Sequence, residues 1–179
     1  MRQETFWAIV ESCRAEAGAD SEHAARLVLR RLRALSPEEL IEYERWWLRA
    51  QAELFTWPVR DAATLLLGPF DDETFLSVQD WIVSHGRPVL RRVLDDPDHL
   101  VELAGDRHNA RVDWFRHLPA EVHIALTGRP CEVDGDDGPE EPCGRPVDLR
   151  DAAQLRQRFP RLMAYLDGNT WIARPWDDR

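Results

Sequence analysis

The chain has 179 residues, of which 44% are apolar, and 33 acidic against 23 basic side chains give a net charge of −10 at pH 7. A chain of this length can bury enough surface to fold as one domain without disulfides or a structural metal. The acidic balance argues against nucleic acid as a partner, and no apolar run approaches the ~20 residues that span a bilayer.

The first half of the chain predicts four helices. Apolar residues between Phe6 and Cys13 have the i, i+3, i+4, i+7 spacing of one helical face, with Cys13 as a small buried side chain. A second amphipathic pattern covers residues 24–35. The motif Ser36-Pro37-Glu38-Glu39 is a capping box that predicts the start of the longest helix. Pro58 breaks that pattern, and a largely apolar helix follows over about 59–67.

The second half continues the helical rhythm with one interruption. Asp71-Asp72 starts a helix that Gly86 ends, Pro88 starts the next, and Asp96-Pro97 repeats the arrangement of cap and proline. From 107 to 128 the pattern weakens around Pro119, so we expect two short helices or one kinked helix. Residues 129–149 are an acidic loop rich in proline and glycine, and helical spacing resumes at 155–166.

These patterns predict an all-α fold, an irregular bundle of seven to nine helices with a long acidic loop. No strand-like alternation is long enough to indicate a sheet, and no apolar stripe exceeds about four turns, which is too short for a coiled coil. We expect one domain over residues 1–179, ending in a tail at 167–179 that exposes Trp171 and Trp176. The amino terminus lacks the apolar stretch of a signal peptide, so we expect a cytoplasmic protein.

Several short motifs resemble one bacterial family in their order and spacing. They are Phe6-Trp7-x-Ile9, Trp57 with Asp61-Ala62-Ala63, Gly68, Asp71-Asp72, Phe75, Trp81-Ile82, Gly86-Arg87 and Asp96-Pro97-Asp98. On these residues the chain is similar to the bacterial domain-of-unknown-function family 4240 over about 4–103, with a weaker match at 159–162. In the family pattern, a Gly segment with small polar or Cys residues usually precedes the acidic pair. This chain has Leu67-Gly68-Pro69-Phe70 at that place, which argues against a functional site in this loop. The resemblance implies a helical fold and no catalytic activity.

The best candidate for a binding site combines two aromatic residues, three carboxylates and one guanidinium: Trp57, Asp61, Asp71, Asp72, Trp81 and Arg87. Trp57 and Asp61 share a helical face, and Asp71 and Asp72 begin the next helix. If the two helices are antiparallel, Arg87 returns toward Trp57 and the group forms a cleft for a small cationic or amide-bearing ligand or a peptide. Helix capping and core packing account for the same residues without a ligand.

Other chemistry finds less support in the sequence. His117, His123, Cys131 and Cys143 are separated by 6, 8 and 12 residues, unlike the tight pairs of zinc sites, so we expect no metal and no cofactor. Cys131 and Cys143 either close a disulfide or, as a cytoplasmic location favours, remain thiols. The acidic loop lacks the register of a calcium loop. The chain has no lysine and therefore no P-loop, and it has no G-x-S-x-G nucleophile motif.

We therefore expect a cytoplasmic interaction or regulatory module that binds a protein partner through an acidic surface containing Trp residues. The motives are the net charge, the eight Trp residues and the acidic loop. The alternative is a small-ligand-binding protein or enzyme that uses the carboxylate and Arg cleft. A third hypothesis, nucleic-acid binding, depends on one basic helical face: Arg26, Arg30, Arg31 and Arg33.

Overall fold

The computed structural model describes residues 1–133 and 139–169, which form an all-α fold without a β-sheet. Within these ranges, nine α-helices and one run of 3₁₀ turns reach the upper end of the expected number. None of the helices there is long and apolar enough to cross a membrane. The α-helices are α1 Gln3–Ala17, α2 Ser21–Leu32, α3 Pro37–Leu54, α4 Trp57–Leu67, α5 Asp72–Ser84, α6 Arg87–Asp95, α7 Leu118–Thr127, α8 Ala152–Arg158 and α9 Pro160–Gly168, and the 3₁₀ run is Pro97–Asn109.

Helix starts follow the caps read from the sequence. Ser36 Oγ accepts from the backbone N–H of Glu39 at 3.3 Å and Glu39 Oε2 accepts from that of Ser36 at 3.0 Å, which completes the capping box of α3. Thr56 caps α4, so this helix begins two residues earlier than expected and Pro58 lies within its first turn. Proline fits there because the first N–H groups of a helix have no intrahelical acceptor.

The stretch from 97 to 128 differs from the expectation. Its first part is a run of 3₁₀ turns rather than an α-helix, and residues 110–117 are irregular. A single helix, α7, then begins at Leu118 with Pro119 in its first turn. Pro119 therefore starts this helix rather than interrupting it, because its fixed φ angle suits the first turn.

An aromatic cluster forms the centre of the core between α1 and α3. The Phe6 ring lies 4.8 Å from that of Trp7 and 5.0 Å from that of Tyr43, in edge-to-face geometry. Trp47 stacks on Phe115 at 5.6 Å, which brings the irregular segment 110–117 onto α3. The neighbouring ring of Trp46 is half-buried, its Nε1 donating to the Met1 carbonyl.

A buried carboxylate fastens the C-terminal helix to the core. The Asp98 side chain, 1% exposed, accepts from the backbone N–H groups of Arg161 at 2.7 Å and Leu162 at 2.9 Å. The residue that precedes α9, Phe159, has no side-chain acceptor of its own. Asp98 therefore caps α9 from more than 60 residues away, and this contact joins the two separate stretches that carry the family resemblance.

Candidate functional site

The structure divides the six predicted site residues into separate groups. Four of them lie around the first turns of α4 and α5: Trp57, Asp61, Asp71 and Asp72. Trp81 lies nine residues beyond Asp72 on α5, about 14 Å along the helix axis, and is buried to 1% exposure. The two aromatic residues therefore do not share a cleft floor.

Arg87 belongs to neither group. It follows the C-terminal end of α5 and begins α6, where its backbone N–H donates to Oε1 of Glu11 at 3.2 Å. The length of α5, about 20 Å, separates it from Asp72. The sequence led us to expect Arg87 beside Trp57 and the carboxylates. In the structure Arg87 lies at the opposite end of α5 from Asp72, so it does not join them.

Arg60, which the sequence argument missed, connects α4 to α5. Its Nη1 lies 2.6 Å from Oδ1 of Asp72, and its guanidinium carbon lies 5.7 Å from the Trp57 ring centre and 5.3 Å from that of Phe75. Arg60 is three residues from Trp57 and so lies on the same helical side. That spacing was the signal available in the sequence.

The end of the acidic loop docks on the start of α4. The Cys143 carbonyl accepts from the Trp57 N–H at 2.8 Å, and the Cys143 N–H donates to the Phe55 carbonyl at 3.0 Å. Four residues on, the Val147 N–H donates to Oδ2 of Asp61 at 2.9 Å. Burial raises the pKa of Asp61, and the hydrogen bond from Val147 and the nearby Arg60 charge oppose that rise. Asp61 therefore fastens residues 143–147 to α4.

Two chain segments that meet the start of α4 carry exposed carboxylates. At the start of α5, Asp71 caps the helix by accepting from the Thr74 N–H at 2.8 Å, and the hydrogen bonds with Thr74 lower the pKa of Asp71. The loop that pairs with Trp57 through Cys143 exposes two carboxylates just before Cys143. We call Trp57, Arg60 and these acidic neighbours the Trp57 surface; the neighbours are Asp71, Asp72, Glu73, Glu140 and Glu141.

Trp81 belongs to a buried polar cluster centred on Asp106. Trp81 Nε1 and Ser21 Oγ each donate to Asp106 Oδ2 at 2.8 Å. Asn109 Nδ2 donates to Oδ1 at 2.6 Å, and His85 Nε2 lies 3.5 Å from Oδ2. Burial alone would raise the pKa of Asp106, but hydrogen bonds from these four side chains outweigh it and hold the pKa well below its usual range.

The Asp106 cluster extends to Arg14 but contains no activated nucleophile. Arg14 donates to Ser21 Oγ at 3.3 Å, to Ser84 Oγ at 2.7 Å and to the Ser84 carbonyl at 3.0 Å. Ser21 donates to the carboxylate and Ser84 donates to the Trp81 carbonyl, so neither hydroxyl donates to His85. A serine nucleophile requires the opposite order, with the hydroxyl on the imidazole. The cluster therefore joins α1, α2, α5 and the 3₁₀ run.

A second buried carboxylate, Asp80, was not singled out from the sequence. Its Oδ1 accepts from Trp47 Nε1 at 2.5 Å and Gln51 Nε2 at 2.6 Å, and its Oδ2 lies 3.3 Å from Arg116 Nε. Burial raises the pKa of Asp80 to about 6, although Trp47 and Arg116 oppose the rise. Its position within an apolar stretch, directly before Trp81, was the signal available.

The described residues contain no cluster of three or more His, Cys, Asp or Glu side chains placed to hold a metal ion. His117 lies 3.3 Å from Asp113, and His123 Nδ1 lies 3.1 Å from the Arg129 carbonyl. Cys131 and Cys143 are not bonded to each other. These four residues therefore do not converge on one point.

Comparison with protein families decides the identity of the chain. A family model described as "Protein of unknown function (DUF4240)" matches residues 1–120. The chain belongs to the DUF4240 family. The family predicted from the sequence is thus confirmed over a somewhat longer stretch, while searches of curated proteins and of solved structures give no match. The DUF4240 match includes the Asp80 and Asp106 clusters, whereas residues 143–147, which dock on the start of α4, lie beyond it.

Proposed function

We propose that the protein is an interaction module that binds a basic segment of a partner protein through the Trp57 surface. The observation that carries this proposal is a half-buried indole next to two chain segments that carry exposed carboxylates, the start of α5 and the loop before Cys143. Indole rings are common anchors of binding energy at interfaces, and flanking charges select the partner and speed its approach.

Burial restricts the choice of Trp residues for such a surface. Trp7, Trp47 and Trp81 lie in the core, so they are unavailable to a partner. Trp171 and Trp176 lie outside the described residues. Of the half-buried Trp residues, Trp57 is the one that hydrogen bonds and an ion pair place beside exposed carboxylates.

The charges of the Trp57 surface favour a cationic partner. Glu73, Glu140 and Glu141 form no side-chain ion pair with the described residues, and Asp72 remains 88% exposed despite its contact with Arg60. The whole chain adds a net charge of −10, which attracts basic segments over distances of about a Debye length. The ligand cleft considered as an alternative has weaker support, because Arg87 lies apart and Asp61 is engaged by Val147.

The test compares two variants of equal charge. E73Q/E140Q/E141Q removes three of the five carboxylate charges of the Trp57 surface, whereas E4Q/E16Q/E121Q removes three exposed carboxylate charges from α1 and α7. Native mass spectrometry is applied to each protein after gentle, untagged purification from its own cells. We expect the wild type and the α1/α7 variant to retain a second polypeptide at fixed stoichiometry, and the Trp57-surface variant to lose it.

Two outcomes would contradict the proposal. The first is a second polypeptide that the Trp57-surface variant retains as well as the wild type does, because its binding would then not use these carboxylates. The second is a chain that carries no polypeptide, whether bare or with a small-molecule adduct. Raising the salt concentration provides a further check, since a contact of this kind weakens with ionic strength.

A further inference from the structure

A hollow of about 650 Å³ lies between α3, α7 and the residues that follow α7. None of its lining residues belongs to the Trp57 surface, and its volume is within the usual range of small-molecule sites, roughly 300–1,000 Å³. Its wall combines apolar and polar side chains: Ile41, His123, Thr127, Arg129, Pro130 and Glu132.

The hydrogen bonds of His123 determine what it offers to this hollow. His123 is only 7% exposed, and its Nδ1 lies 3.1 Å from the carbonyl oxygen of Arg129. A carbonyl only accepts, so Nδ1 carries the hydrogen and, in the neutral ring, Nε2 presents a lone pair. Nε2 has no hydrogen-bond partner among the described residues, and solvent can reach it. In its neutral form, His123 therefore offers a hydrogen-bond acceptor at Nε2.

Opposite charges flank that acceptor. Arg129 and Glu132 are both exposed residues that line the hollow, and neither forms an ion pair with any described residue. Between them, Cys131 contacts Glu44, and burial raises the pKa of the Cys131 thiol to about 12. The thiol therefore remains protonated at neutral pH, and the wall offers binding groups rather than a thiolate nucleophile.

We propose that this hollow binds an α-amino acid with an aliphatic side chain. The carboxylate of the ligand pairs with Arg129 in a bidentate contact. Its ammonium group donates to Glu132 and to Nε2 of His123, and its side chain lies against Ile41 and Pro130. A ligand with only one of the two charges leaves either Arg129 or Glu132 without a partner.

Nuclear magnetic resonance of the full ¹⁵N-labelled chain tests this proposal with L-leucine as the probe. Two analogues serve as matched controls, 4-methylpentanoate without the amino group and 3-methylbutylamine without the carboxylate. We expect L-leucine to shift the His123 Nε2 resonance and the backbone amides of residues 127–129, 131 and 132 in a saturable manner. Each analogue should bind at least about tenfold more weakly, since each loses one charge-assisted contact.

Variants assign the effect to the named side chains. R129Q, at an exposed position, should weaken L-leucine binding about tenfold, whereas R158Q, an exposed control on α8, should not. H123N retains a donor for the Arg129 carbonyl but removes the Nε2 acceptor, and it should weaken binding while leaving the fold intact. The proposal is overturned if L-leucine gives no saturable shift, if an analogue binds equally well, or if R129Q binds like the wild type.

Discussion

Asp80 and Asp106 are two carboxylates inside the fold whose surroundings drive their pKa values in opposite directions. Asp80 is 1% exposed and Asp106 is 6% exposed, and each accepts a hydrogen bond from an indole N–H. Burial raises the pKa of Asp80 to about 6, whereas that of Asp106 lies well below its usual range. Burial alone therefore does not determine which form a buried carboxyl group adopts.

The two carboxylates differ in depth of burial, which is greater at Asp80, and in the number and placement of their hydrogen-bond donors. Asp106 accepts hydrogen bonds from Trp81, Ser21 and Asn109, distributed over both oxygens, and His85 Nε2 lies 3.5 Å from Oδ2. Asp80 has two neutral donors on one oxygen, while its other oxygen relies on Arg116 at 3.3 Å, and Asp113 opposes its ionisation. The Asp106 cluster thus stabilises the charged form, whereas the Asp80 cluster leaves ionisation costly near neutral pH.

The largest expected effect follows from removing Asp106. D106A leaves the donors of Trp81, Ser21 and Asn109 without their acceptor, so we expect the free energy of unfolding at pH 7 to fall by about 4 kcal/mol. Urea denaturation followed by circular dichroism measures this loss. D95A, which removes an exposed carboxylate from α6, should change stability by less than about 0.5 kcal/mol. A loss below about 1 kcal/mol in D106A would show that the cluster is not a structural joint.

The next largest effect is a difference in pH dependence. Asp80 has a raised folded-state pKa, so its protonated form contributes stability that is fully present below its unfolded value of 3.8 and is lost as pH rises through about 6. A shift of about two pKa units corresponds to roughly 3 kcal/mol. We therefore expect the unfolding free energy of wild type minus that of D80N to fall by about that amount between pH 4 and 7.

D106N supplies the contrast for the same measurement. The folded pKa of Asp106 is lowered, so its contribution is present above 3.8 and is lost only as pH falls below that value. The Asp106 carboxyl group itself should therefore add almost no slope to the difference between wild type and D106N between pH 5 and 7. If both difference profiles have the same slope in that window, the two carboxylates do not differ as their surroundings indicate.

Sequence patterns predicted local features well and long-range contacts poorly. The capping box at Ser36, the cap at Asp71 and the all-α class each follow from residues within a few positions of one another. In contrast, Trp81 contacts a carboxylate 25 residues away, and Asp98 caps a helix more than 60 residues away. The spacing of residues along the chain does not reveal which carboxylate accepts a hydrogen bond from a donor that is distant in sequence.

The candidate site was predictable to the same limited extent. Trp57 and Asp61 lie on one helix, as their spacing requires, and Asp72 reaches that helix through Arg60. Arg87 was grouped with them on the assumption that α5 turns back toward Trp57, but α5 carries it about 20 Å away. Packing between helices, rather than the pattern within them, decides such groupings.

A smaller effect distinguishes the two indole donors. W81F and W47F each keep a large aromatic ring and remove one N–H donor, so we expect each to lower stability at pH 7 by about 1–2 kcal/mol. The hydrogen bond from Trp47 lowers the pKa of Asp80, so W47F should also raise the pH at which the Asp80 contribution is lost. W81F should leave that pH unchanged. Denaturation at several pH values separates these outcomes.

The smallest effect is expected at Asp72. Its contact with Arg60 is shorter than the contact of Asp80 with Arg116, but it lies at the surface. Asp72 lies 2.6 Å from Arg60 Nη1 but is 88% exposed, whereas Asp80 lies 3.3 Å from Arg116 Nε and is buried. Water screens an exposed pair, so D72N should lower the free energy of unfolding by less than about 0.5 kcal/mol. Urea denaturation at 20 mM and 500 mM salt measures this value and its screening. A loss above about 1.5 kcal/mol would mean that Arg60 joins α4 to α5 through this ion pair rather than through its contacts with the Trp57 and Phe75 rings.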